Sequence, residues 1–319
     1  DLGLNMYDQG SYDESVALLR QAVAMRRNTQ GDLHPDLAEA INNLAFVIRV
    51  AGTMEEAEAL WREALGMQRR LLGDEHPEIA INMSNVAFAL YAQGNYDEAE
   101  SIYREVIALQ RKVLGETHPA VAESLHALAF LMYEKGDAAA AITLIRQSLD
   151  IKREVLGNDH PDVASSLNAI AMWTMEGGDF ESAEPVLRES LDIRIGALGQ
   201  EHPAVAASMT LLANSLVGNG KYDEALSLAR EAKSVYTAAL SADHWRTAVA
   251  VGAEGAALAG QKKYAEAESL LLKSHSVLSE DPNAMVLFVT EANRRLASFY
   301  SEWGKPERAA EFAALAERE

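Results

Sequence analysis

The 319-residue chain reads as an all-α solenoid of antiparallel helix pairs stacked side by side, and three observations predict it. His-Pro recurs as His34-Pro35, His76-Pro77, His118-Pro119, His160-Pro161 and His202-Pro203, each pair 42 residues after the last. A single alanine keeps the same beat at Ala57, Ala99, Ala141, Ala183, Ala225, Ala267 and Ala309. Between these marks the apolar residues follow helical spacing. A fixed period of this size marks stacked repeats, each of which must bury its apolar face against a neighbour.

Residues 34–75 show why each unit is a helix pair. Pro35 suits the first helical position, where its missing N–H would have had no partner. Ile41, Leu44, Ala45 and Ile48 form an i, i+3, i+4, i+7 stripe. Gly52 is expected to end this helix in the left-handed conformation. A second helix begins near Thr53 with Ala57, Leu60, Trp61, Ala64 and Leu65 on one face, and Gly73 closes it. Each helix is then roughly 25 Å long. Ala45, Ala87, Ala129, Ala171 and Ala213 lie where first helices approach their neighbours, and larger side chains there would overpack the contact.

The array is predicted to fill residues 1–319 as one domain. A partial first repeat takes 1–33, with Asp1 to about Gln9 ending a first helix and Gly3 at the alanine position. Five regular repeats follow over 34–243, then a divergent repeat at 244–281 and a C-terminal capping repeat at 282–319. In the divergent repeat Trp245 replaces proline and Lys262 replaces the turn glycine. Gly252 and Gly255 are expected to weaken its first helix and make it a soft point. Pro185, inside a second helix, predicts a local irregularity. The chain opens partway through a repeat, which leads us to expect a missing N-terminal part.

Composition narrows the function. Zero cysteines exclude disulfides and thiolate metal sites, and no apolar run reaches the ~18 residues that span a bilayer. The first residues are no signal peptide, and the expected location is cytoplasmic. A net charge of −20 opposes nucleic-acid backbones and anionic membranes. Nucleotide loops and the nucleophile-elbow pattern are absent from the sequence, so no enzyme and no cofactor is predicted. The repeated histidines are no metal site: ligands converge on one ion at ~2 Å, while stacked helices stand ~8–10 Å apart. They are expected to serve the inter-repeat turns.

Leu44-Ala45, Gly52, Ala57, Trp61 and Ala64 resemble the tetratricopeptide consensus in its longer, 42-residue form. Tyr96-Asp97-Glu98-Ala99-Glu100 and Leu114-Gly115-Glu116-Thr117-His118-Pro119 resemble the repeats of kinesin light chains and their bacterial relatives. The resemblance implies a right-handed tetratricopeptide superhelix whose first helices line a concave groove, and a role in protein–protein interaction. The stripe opposite the core stripe then carries Asn42, Asn43, Phe46 and Arg49, followed by Asn85, Phe88 and Tyr91. His126, Phe130 and Tyr133 come next, then Asn168, Met172, Met175 and Asn214. Contiguous exposed apolar area of this kind marks interaction sites, and methionine adapts to a partner's shape. In kinesin-light-chain-like arrays a ladder of asparagines pairs with a peptide backbone; the resemblance gives that role to Asn42, Asn43, Asn85, Asn168 and Asn214, with Ala127 and Ala169 interrupting it. The alternative is that these side chains pack between adjacent first helices.

Arg49 is the only basic residue on the stripe until Arg294 and Arg295, which disfavours a clamp for a C-terminal carboxylate. An apolar partner with basic flanks is expected. Two functions compete: a module that binds an extended peptide or helix of a partner, and an intramolecular regulatory or sensor arm of a larger multidomain protein.

Overall fold

The computed structural model describes residues 2–8 and 10–317, and these form sixteen helices with no strand among them. They fall into two compact units, residues 1–155 and 156–319. The first contains α1 (Leu2–Asp8), α2 (Tyr12–Gln30), α3 (Pro35–Ala51), α4 (Met54–Leu72), α5 (Pro77–Ala92), α6 (Tyr96–Leu114), α7 (Pro119–Glu134) and α8 (Ala138–Leu156). The second contains α9 (Pro161–Glu176), α10 (Phe180–Leu198), α11 (Pro203–Gly218), α12 (Tyr222–Ala239), α13 (Trp245–Gly260), α14 (Tyr264–Glu280), α15 (Val286–Glu302) and α16 (Pro306–Ala316). Odd-numbered helices are the first of each pair and even-numbered helices the second. The predicted all-α solenoid of antiparallel pairs is the architecture found.

The histidines act as caps. His34, His76, His118, His160, His202 and His244 each accept at Nδ1 the backbone N–H two residues on, at 3.1–3.3 Å. Each satisfies a donor that the first turn of a helix cannot pair internally, the part usually played by Ser, Thr, Asp or Asn. The proline that follows in five of the six lacks the N–H that would also need a partner.

The alanine beat is a packing register. Ala57, Ala99, Ala141, Ala183, Ala225 and Ala267 are fully buried, and so are Ala45, Ala87, Ala129, Ala171 and Ala213. Ala309 in α16 is only half-buried, against the core of the second unit. Serines pin second helices to their partners: Ser148 donates to the Ala122 carbonyl (2.7 Å), Ser190 to Ala164 (3.0 Å) and Ser274 to Ala248 (2.7 Å).

Two expectations, on Gly52 and Pro185, are corrected. Gly52 is not left-handed (φ −126°); α3 runs on to Ala51, and the Thr53 hydroxyl caps α4 by accepting the Glu56 N–H at 3.2 Å. Its counterpart one period on, Gly94, does take a positive φ of 79°. α13 runs unbroken through Gly252 and Gly255, both of which are buried. A Cβ at Gly255 would lie 2.9 Å from Leu271 Cδ2, and one at Gly252 would lie 2.8 Å from Ser274 Oγ. These glycines let α14 approach α13 closely. Pro185 produces no break either, for α10 is continuous from Phe180 to Leu198.

Candidate functional site: the inner stripes of the first helices

In the first unit α3 buries Leu37, Ala38, Ala40, Ile41, Leu44, Ala45, Val47 and Ile48. What is left free is the stripe predicted from spacing. Glu39, Phe46 (39%) and Val50 (45%) are exposed, bordered by half-buried Asn42, Asn43 and Arg49. On α5 Ile81 is 57% exposed, with Asn85 and Phe88 half-buried beside it. Of the fourteen predicted residues Phe46 is exposed, Asn168 is buried and the other twelve are half-buried.

The structure brings several of them together. Asn85 Nδ2 donates to Asn42 Oδ1 at 3.4 Å, joining α5 to α3. The Arg49 guanidinium lies 4.7 Å from the Phe46 ring centroid and 5.6 Å from that of Phe88. Such stacking suits a planar, weakly hydrated cation. Tyr7 of α1 meets Phe46 edge-on at 5.3 Å. Tyr91 packs on Tyr96 at 5.8 Å, and burial, aided by Glu134, pushes its phenol pKa up. On α7 the His126 and Phe130 rings lie 5.0 Å apart, with Lys152 Nζ 3.4 Å from His126 Nδ1. Tyr133 is half-buried one turn further along.

In the second unit the amides are partly taken up by the protein itself. Asn168 Nδ2 donates to Ser208 Oγ at 3.1 Å. Asn214 Oδ1 accepts from Arg295 Nη2 of α15 at 3.3 Å. Gly252 of α13 permits that bond, since a Cβ there would lie 3.2 Å from Arg295 Nη1. Met172 and Met175 are half-buried, and Met175 packs against the core.

Sequence reasoning missed a second column of polar side chains. Arg26, Gln68, Gln110, Lys152 and Arg194 recur every 42 residues along the second helices. They sit where the core stripe of each second helix would continue: Ala57, Trp61 and Ala64 lead to Gln68, and Ala183, Leu187 and Leu191 lead to Arg194. A polar residue repeated at a core-stripe position was the available signal. From there each side chain that bonds reaches a first helix: Arg26 the Asp36 carbonyl, Gln68 the side chain of Asn82, Lys152 His126, and Arg194 the Ala204 carbonyl. Among the described residues no acidic or histidine cluster could hold a metal, and no helix is long and apolar enough to cross a membrane.

The tetratricopeptide-repeat family model matches residues 36–112, 78–154, 128–195, 162–238 and 204–280, and a second model of that description matches 1–36. The chain belongs to the tetratricopeptide-repeat family, a fold generally used for protein–protein interaction. Its repeats are of the kinesin-light-chain-like kind. A solved structure of kinesin light chain nearly identical TPR-like repeats from Podosopora anserina is 28% identical, with a TM-score of 0.57 over 65% of this chain and 98% of that one. BtubC (BKLC) from P. vanneervenii is 23% identical, with a TM-score of 0.60 over 72% of this chain and 90% of that one. The apo form of RapI, at 15% identity, shares the fold with a TM-score of 0.73 over 88% and 97%. No curated protein matches the chain.

Proposed function

We propose that this chain is a protein-interaction module that takes an extended peptide or helix of a partner along the inner stripes of its first helices. One observation carries the reading: the stripe of the first unit exposes Phe46, Val50 and Ile81 beside amides and a ring-stacked arginine. A surface meant only for solvent has no use for three large apolar side chains there. The partner's apolar side chains sit on Phe46, Val50 and Ile81, and its backbone pairs with Asn42, Asn43 and Asn85. Glu39 and Glu123, both well exposed, suit basic residues flanking that segment.

Selection from a random peptide library tests this. The doubly substituted Phe46→Ala, Ile81→Ser chain is expected to melt no more than about 5 °C below the parent, the loss coming from the Phe46 contacts with Tyr7 and Arg49. It should lose the peptides that the parent enriches. A large drop in melting temperature would mark these side chains as packing instead. Absence of any enrichment would sink the reading in favour of an intramolecular regulatory or sensor arm.

A further inference from the structure

In the second unit the exposed large apolar side chains lie away from the inner stripe. Among the described residues they are Leu156, Leu198, Leu240, Met285, Val286 and Leu287, between 36% (Leu198) and 61% (Val286) exposed. All of them sit where a second helix hands over to the next first helix. Leu156 and Leu198 end α8 and α10, Leu240 follows α12, and Met285 to Leu287 lie at the start of α15. Antiparallel pairing puts these handovers at one end of the stack, so the side chains line one edge of the unit. Single exposed apolar residues are ordinary, but a row of them marks an interaction surface.

The charge of this edge says what covers it. In the first unit the same handovers carry cations. Arg27, Arg69 and Arg111, in the last turns of α2, α4 and α6, pair with Asp32 (3.8 Å), Asp74 (3.5 Å) and Glu116 (3.0 Å). Lys112 pairs with Glu75. Basic residues in a last turn also offset the partial negative charge of a helix C-terminus. In the second unit the register of Arg111 and Lys112 holds Ile195 and Gly196, then Thr237 and Ala238. α10, α12 and α14 accordingly end with no basic residue in the last turn. Glu201 and Asp243, three residues beyond Leu198 and Leu240, are exposed and form no ion pair among the described residues. The nearby cation Arg246 lies over the Trp245 ring at 4.6 Å. Leu72 of the first unit is exposed as well, but there Glu75 is neutralised by Lys112.

We infer that this edge of the second unit docks a segment of a partner protein in which lysine or arginine is interspersed with large apolar side chains. The apolar groups of the segment cover the leucine row and Met285 to Leu287. Its cations pair with Glu201 and Asp243 and sit against the carbonyl ends of α10 and α12. A second copy of this chain would bring a net charge of −20 to the same edge, which opposes that occupant. The edge is separate from the inner stripes, and the inference stands without the binding-module reading.

A random peptide library is selected against the full chain carrying Phe46→Ala and Ile81→Ser, which takes the exposed apolar groups of the inner stripe out of play. Two further chains in that background carry Leu198→Ser with Leu240→Ser, and Glu201→Lys with Asp243→Lys. The enriched peptides are expected to mix Lys or Arg with Leu, Ile, Phe or Met. Both further chains should bind them at least about tenfold more weakly. Added salt should weaken binding to the first chain and have less effect on the charge-reversed one. The charge-reversed chain keeps the test decisive if the leucine substitutions lower stability, because both carboxylates are exposed and unpaired. Peptides without basic residues, binding that survives either pair of substitutions, or no enrichment at all would overturn the inference. Each of these results leaves the inner-stripe reading to its own test on the parent chain. Self-association in sedimentation that Leu198→Ser with Leu240→Ser abolishes would make the occupant a second copy and overturn the inference too.

Discussion

At His118 the ring nitrogen that accepts the Ala120 N–H carries no proton, so the neutral imidazole with its hydrogen on Nε2 is the capping form. His118→Ala is expected to lower stability by about 1 kcal/mol and His118→Asn to retain most of it, as denaturant melts would show. The opposite sign is expected at Lys262, a non-glycine residue at φ 61° where the regular repeats place Gly94, Gly136, Gly178 and Gly220. A side chain in the left-handed region carries a steric penalty that glycine avoids. Lys262→Gly should therefore gain up to about 1 kcal/mol, part of the relief being offset by the greater freedom of an unfolded glycine. A loss of stability on that substitution would show that the Lys262 side chain makes a contact outweighing the strain.

Helices are joined by means that differ from repeat to repeat. Glu184 of α10 gathers Lys221 at 2.8 Å, Arg188 at 2.9 Å and the Asn219 amide at 2.8 Å, and its side chain is only 11% exposed. Lys221 above all, helped by Arg188 and Asn219, holds its carboxyl down to about 2 against the upward push of burial. A folded-state value below the unfolded one means that Glu184 adds stability which is complete above the ordinary glutamate range. That contribution is lost as pH falls toward 2. The melting-temperature gap between the parent and Glu184→Gln should hold steady from pH 7 to about 5 and then close. A gap that persists at pH 2 would mean that the ionised form is not what stabilises the contact. The α11–α13–α15 group is joined differently, by Arg295 passing over Gly252 to Asn214.

For the molecule as a whole, both helices of each pair contribute to the core, and exposed ion pairs run along the second helices. Ion pairs link successive second helices at a spacing of 36 residues: Arg20 with Glu56 (2.6 Å), Arg62 with Glu98 (2.6 Å) and Arg188 with Glu224 (2.8 Å). Exposed pairs of this sort contribute between nothing and about 1 kcal/mol each, so they set register more than stability. Stability comes from the alanine and aliphatic register repeated through each unit, which is why a protein of net charge −20 can hold its helices at close range. The inner stripes are left with large apolar groups, amides and very few cations, the composition on which the binding proposal stands.

The sequence by itself determined the helix-pair architecture, the turns and the core alanines. Periodicity, proline placement and the need for small residues at close contacts act within one repeat and are copied at the next. It also located the stripe on which Phe46 and Ile81 are exposed, since the face opposite a core stripe follows from 3.6 residues per turn. Only the tertiary structure decided which stripe residues are spent within the protein. Asn168 is bonded to Ser208, Asn214 to Arg295, and Arg49 lies against two rings. Those outcomes depend on side chains reaching from neighbouring helices, some of them as far off in the chain as the 81 residues between Asn214 and Arg295. The same limit hid the bonds of Arg194 to Ser165, Ala204 and Ser208, which exist only when α9, α10 and α11 stand side by side, because a bond is defined by distance in space, which spacing along the chain does not fix.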